Sequence, residues 1–176
     1  MSAMLKRQRA CLFALVLCLS CKGAKAQDAL VTFYTHGSFW KTNSIGNKHD
    51  FYRGNIFDGS QRLFAFGDSF YVQSNRYITL RFAAGPHTFG ASSAKRPESR
   101  ETLNLDLKAG ERYFVWVQGE TLILGIQHGR LDLVPCSKAQ SDLAHAKPLK
   151  DQALSEEVLS KRATLVVDEA GPPSCR

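Results

Sequence analysis

The chain has 176 residues, of which 23 are basic and 16 acidic, for a formal charge of +7. With 44% apolar and 22% charged residues it has the composition of one globular domain, which excludes wholesale disorder. The charge is unevenly placed: Lys6, Arg7, Arg9, Lys22 and Lys25 lie in residues 1–26 beside no acid, and removing these five leaves 18 basic against 16 acidic residues, a charge of +2. That balance gives no electrostatic case for nucleic acid as a partner.

The N-terminus reads as an address. Lys6, Arg7 and Arg9 precede an unbroken apolar run of ten, Ala10 to Leu19, and the small residues of Ala24-Lys25-Ala26 follow. This is the three-part secretory signal pattern, and the run is too short for a stable membrane span. Residues 1–26 are therefore expected to be cut after Ala26, which sends the protein to the periplasm or the medium. A second reading makes Cys21 the lipidated residue of an outer-membrane lipoprotein, the one case that would bring a membrane contact. Cys18 and Leu19 depart from the residues such a box uses.

From Gln27 to Cys136 the pattern has period two and is cut by turn signals. Ala29–Tyr34 reads as the first strand. Phe51–Phe57 is a strand closed by Asp58-Gly59, a hairpin signal, and Arg62–Phe66 returns. Phe70–Gln73 is a short strand. Tyr77–Phe82 sets Ile78, Leu80 and Phe82 on one side and Tyr77, Thr79 and Arg81 on the other. Gly85-Pro86 then reads as a turn into His87–Ala91. Thr102–Leu107 alternates most cleanly, with three leucines facing in, and Ala109-Gly110 turns it into Tyr113–Gln118. Thr121–Ile126 and Arg130–Val134 complete the series. Short strands at this spacing, with no helical period between them, indicate a mainly β fold, an antiparallel β-sandwich.

After Cys136 the pattern changes. Pro148 ends any helix over Ser137–Lys147. Lys150–Arg162 places Leu154, Val158 and Leu159 opposite Glu156 and Glu157, an amphipathic helix. Asp168–Arg176, with Gly-Pro-Pro, reads as a loose tail. The expected organisation is a signal at 1–26, a β-sandwich at 27–136 and a helical extension with its tail at 137–176.

Two hairpin-like patterns resemble those of small secreted bacterial domains of unknown function, often lipoprotein-attached and related to PEGA-like modules. One runs through Leu80, Phe82, Gly85, His87 and Phe89. The other runs through Leu105, Leu107, Gly110, Tyr113, Phe114 and Val115, and Asn55–Gly59 is similar to the earlier strand of that group. The resemblance covers roughly residues 29–146. It implies a transthyretin-like or immunoglobulin-like sandwich and an envelope location, and it implies no reaction.

The chemistry-bearing residues are sparse. His36, His49, His87, His128 and His145 show no zinc-ligand spacing, and His87 reads as a turn residue donating a ring N–H locally. No cofactor or metal is called for. Neither Gly-x-Ser-x-Gly nor a phosphate loop occurs. Cys136 and Cys175 are the only cysteines outside the leader and form the candidate disulfide. Phe39, Trp40 and Tyr52, in or beside the first long loop, with Trp116, form a candidate binding surface. Phe114 and Trp116 make their strand apolar on both faces, which favours a covered strand, with the C-terminal helix as the cover. The function expected is an exported cell-envelope binding or structural module without catalytic activity, whose partner is an envelope protein or a glycan. The alternative is a small periplasmic hydrolase using surface carboxylates or histidines.

Overall fold

A computed structural model describes residues 28–36, 54–66, 75–93, 101–121 and 127–175. The expected strand at Phe70–Gln73, the leader and the segment 37–53 with Phe39, Trp40, His49 and Tyr52 lie outside the described residues. The strands are β1 (Ala29–Thr35), β2 (Gly54–Asp58), β3 (Gln61–Phe66), β4 (Arg76–Phe82), β5 (Gly85–Ser93), β6 (Glu101–Leu107), β7 (Arg112–Thr121), β8 (Gln127–Val134) and β9 (Lys147–Pro148). They form a five-stranded sheet in the order β8-β7-β1-β4-β9 and a four-stranded sheet in the order β3-β2-β5-β6. The two layers pack face to face as a β-sandwich. The four-stranded sheet is antiparallel throughout. In the five-stranded sheet the β1–β7 and β4–β9 pairings are parallel.

Alternation along the strands fills the space between the sheets. Val31, Phe33, Ile78, Leu80, Val115 and Val117 from one layer meet Ile56, Phe64, Phe66, Phe89, Ala91 and Leu107 from the other. Phe33 sits at the centre, edge-on to Phe64 at 5.4 Å and to Phe89 at 5.2 Å between ring centroids. Such edge-to-face pairs contribute about 0.5–1.5 kcal/mol each beyond area burial.

Asp58-Gly59 closes a true hairpin, with Asp58 opposite Gln61. The two other turns behave differently. β4 and β5 belong to different sheets, as do β6 and β7. The segments around Gly85 and Gly110 are therefore arches that carry the chain from one layer to the other, where hairpins were expected. Both glycines adopt positive φ, +131° and +78°, which a side chain would strain. The second arch is held by Tyr113, whose hydroxyl accepts from the Lys108 N–H at 3.0 Å and donates to the Glu111 carboxylate at 2.8 Å. A tyrosine bonding back to upstream backbone at such a corner recurs in Greek-key sandwiches. A further difference concerns the break expected between Gln118 and Thr121: β7 runs on to Thr121 with Gly119 paired to Gly129, and residues 122–126 of the expected strand lie outside the described residues.

The C-terminal extension is a third layer. Helix α1 (Cys136–Leu143) lies on the outer face of the five-stranded sheet, where Ala139 and Leu143 pack with Tyr34, Tyr77 and Phe114. It covers the outer face of β7, so the cover expected over Phe114 and Trp116 comes from this helix and not from residues 150–162. β9 then lines the free edge of β4, and the Leu149 N–H donates to the Tyr77 carbonyl at 2.7 Å. The expected helix at Lys150–Arg162 is broken in two. After the single 3-10 turn Asp151–Ala153, Leu154 is extended and bridges to Phe64 on β3. Ser155 caps α2 (Glu156–Ser160) by accepting from the Val158 N–H, while its own N–H donates to the Leu63 carbonyl at 2.8 Å. Leu154 and Val158 both enter the core between the sheets. The pairing with β3 outweighs helix continuity because it satisfies the edge strand and buries Leu154 at once.

A last turn, α3 (Arg162–Leu165), returns the chain to β4, where Val166 bridges to Leu80 and the Val167 N–H donates to Thr79 at 2.9 Å. The tail is not loose. It crosses the outer face, where the Tyr77 hydroxyl donates to the Gly171 carbonyl at 3.0 Å, Pro173 is buried and Cys175 is joined to Cys136 by a disulfide with a Cα–Cα distance of 5.8 Å. Among the described residues no helix is long and apolar enough to cross a membrane. Leu154→Ala is expected to lower the unfolding free energy of the whole protein by about 2–5 kcal/mol, seen as a shift of one cooperative denaturant transition. An extension folding apart from the sandwich would instead give two separate transitions, the first alone responding to the substitution.

Candidate functional site

Among the described residues, polar side chains cluster at several points of this frame. The first lies at the C-terminal end of β1. The parallel pairing of β1 and β7 sets Tyr34 beside Trp116 on the outer face. α1 brings Asp142 over them. The Tyr34 hydroxyl donates to Asp142 Oδ2 at 2.9 Å, and Lys138, one helical turn earlier, donates to the same oxygen at 2.9 Å. His36 Nε2 stands 3.7 Å from Asp142 Oδ1. Burial alone would push the Asp142 carboxyl up, but the hydrogen bonds from Lys138 and Tyr34 and the positive charges of His36 and Lys138 outweigh it and hold the group below its ordinary value. Burial, followed by the bond to Asp142 and its negative charge, pushes the Tyr34 hydroxyl well above the usual tyrosine value. Lys138 also lies 4.7 Å above the Trp116 ring, a cation–π contact.

The second cluster is at the first arch. His87 Nδ1 contacts Asp58 Oδ2 at 2.8 Å, and Nε2 lies 3.0 Å from the Ala83 carbonyl. The ring stacks on Phe89 with 7° between planes and stands edge-on to Phe82. His87 thus ties the end of β2 to the arch between the layers. The expected local contact is present through Ala83, and the Asp58 partner was not foreseen.

The third cluster fastens the tail. Arg162 Nε donates to Asp151 at 2.8 Å, and its two terminal nitrogens grip Asp168 at 2.7 and 2.9 Å. The bonds to Asp168 and then Asp151 push the guanidinium value up, and the same pairing holds Asp168 below its ordinary value. Arg112 donates to Glu169 at 2.6 Å across the outer face. Between this strap and β4 is a cleft of about 70 Å³ lined by Tyr77, Thr79, Leu154 and Arg162. That is room for little more than a water or two.

Of the candidate binding residues, Trp116 is half-buried beneath α1 and packs with the Tyr34 and Phe114 cluster. Phe39, Trp40 and Tyr52 lie outside the described residues, as does Cys21. Cys136 and Cys175 are brought together. Among the described residues no group of three His, Cys, Asp or Glu side chains could hold a metal ion. Of the carboxylates in turns and on strands, Asp58 pairs with His87, Glu111 accepts from the Tyr113 hydroxyl, and Asp132 pairs with Arg130 and accepts from Gln118. Asp142, Tyr34 and His36 carry no local motif. Their only sequence signal is the i,i+4 spacing of Lys138 and Asp142 on a helix.

Comparison with protein-family models, with curated proteins and with solved structures gives no match.

The pH dependence of stability follows from the first cluster. Asp142 has a folded value below its ordinary 3.8, so its contribution is complete above that value and lost as pH falls through the lower folded value. Tyr34 is shifted the other way from 10.0, so its contribution is complete below pH 10 and falls away above it. Asp142→Asn is expected to flatten the acid limb of stability against pH and Tyr34→Phe the alkaline limb. Each should cost about 1–3 kcal/mol at neutral pH, as removal of a buried hydrogen bond to a charged group does. Chemical denaturation at a series of pH values reads both effects.

Proposed function

We propose that this protein is an exported, non-catalytic module of the bacterial cell envelope that binds an envelope protein or a glycan. One observation carries the reading: Cys136 and Cys175 are bonded and close the C-terminal wrap. Structural disulfides persist in oxidising compartments, so the bond agrees with the secretory pattern of residues 1–26. The resemblance to secreted envelope domains points the same way. Cleavage after Ala26 would release the protein into the periplasm or the medium, whereas lipidation at Cys21 would anchor the same domain to the outer membrane.

The binding surface we assign comprises Phe39, Trp40 and Tyr52, which lie outside the described residues, together with Trp116, which Lys138 covers at 4.7 Å. Aromatic residues on a rigid support dominate contact energies in protein interfaces and stack on sugar rings. The hydrolase reading would run through Asp58 and His87, among the described residues the one carboxylate–imidazole pair at hydrogen-bond distance whose ring has both nitrogens placed. Its Nε2, the nitrogen that would activate a nucleophile, is held by the Ala83 carbonyl, which makes the pair a structural tie.

Intact mass and peptide mapping of the exported protein test the compartment. Gln27 at the N-terminus and no free thiol before reduction are the expected results, and free thiols at both Cys136 and Cys175 would remove the support. In capture from envelope extract, Trp40→Ala is expected to weaken retention of the partner by about thirtyfold, the effect of losing an interface hot spot. Equal retention by wild type and variant would contradict the assigned surface.

A further inference from the structure

The sandwich is finished on one side and open on the other. The edge of β3 is met by Leu154 and Ser155, and the edge of β4 by β9 and Val166. On the opposite side, among the described residues, β6 pairs only with β5 and β8 only with β7.

The direction of the free groups on β6 follows from its pairing. Thr88 on β5 stands opposite Asn104 on β6, and the Thr88 carbonyl accepts from the Gly59 N–H at 2.9 Å, on the β2 side. In an antiparallel pair, a residue that turns its polar backbone away from its opposite number makes a non-hydrogen-bonded pair, so the opposite residue turns outward too. The N–H and C=O of Asn104 therefore face the open edge. By alternation so do those of Thr102 and Asp106, with the Asp106 carbonyl also reached by the Tyr113 hydroxyl at 3.5 Å. The strand runs Glu101–Leu107 in unbroken register with β5, without proline, lysine or bulge. These are the devices by which edge strands are protected from pairing.

We propose that this edge pairs with the same edge of a second copy of the chain, antiparallel about a two-fold axis at Asn104. That register brings all three outward-facing residues into the ladder, with Asn104 opposite its own counterpart and Thr102 opposite Asp106. No two like charges face each other, because Glu101 falls opposite Leu107. Leu103 meets Leu105 on the inner face, and both are only half-buried within one copy. Leu133, 48% exposed, lies on β8, the strand of the other layer packed against β6, so the same open side carries a further apolar side chain for the junction. The product is a closed dimer with one continuous eight-stranded sheet, and the isologous contact leaves no β6 edge for further growth. The inference uses neither the export reading nor the loop surface.

Sedimentation velocity on a dilution series of the exported protein tests it. A monomer–dimer equilibrium is expected. Thr102→Asp sets two carboxylates opposite each other twice per dimer and should weaken association about tenfold, whereas Thr102→Lys sets an ammonium opposite Asp106 and should strengthen it. Position 102 is exposed, and unchanged circular dichroism and melting of both variants separates a pairing effect from a folding one. A protein that stays monomeric up to about 1 mM, or a dimer whose dissociation constant is the same in wild type and both variants, would overturn the proposal.

Discussion

β1 is buried on both faces, and the rest of the molecule follows from that. Val31 and Phe33 point between the layers, while Thr32 and Tyr34 point the other way and are equally inaccessible. A strand buried on both faces needs cover on both, and the four-stranded sheet supplies only one. The C-terminal forty residues supply the other. The buried hydroxyls on β1 are satisfied partly within the sheet and partly by the cover. The hydroxyls of Thr32 and Thr79 bond to each other at 2.9 Å across adjacent strands, and the Tyr34 hydroxyl finds Asp142 on the covering helix. Unpaired, each would carry a desolvation cost of about 1–3 kcal/mol. The disulfide completes the arrangement by fixing the last described residue of the tail to the first residue of α1.

Much of this was legible in the residues. Alternation located β1, β4 and β6 to within a residue at each end and β7 at its start, and Asp58-Gly59 marked a true hairpin. The double-sided strand of Tyr113 to Val117 called for a cover, and one exists. What could not be read locally was the destination of each turn. Gly85-Pro86 and Ala109-Gly110 carry the residues of a tight turn, but a glycine with positive φ serves a hairpin and an arch equally. The choice depends on which strand offers hydrogen bonds, and β5 finds them on β2 and β6. Lys150–Arg162 shows the same limit. Its apolar spacing correctly marked Leu154 and Val158 for burial, yet an extended Leu154 followed by a capped helix buries both. Ser155 before two glutamates is an N-cap signal that the longer period obscured.

The titratable clusters bear on function through what they hold. Asp142 ties α1 to β1, Asp58 ties β2 to the first arch through His87, and Arg162 binds the two ends of the strap through Asp151 and Asp168. Each pairing satisfies a structural junction.

The central claim is that the C-terminal wrap belongs to the same cooperative unit as the sandwich. Native-state hydrogen exchange on the oxidised protein tests it directly. The account predicts that the amides of Leu149, Ser155 and Val167, bonded to Tyr77, Leu63 and Thr79, exchange as slowly as those of β1. Rapid exchange across 147–175 with β1 still protected would show a sandwich that needs no third layer, and would contradict it.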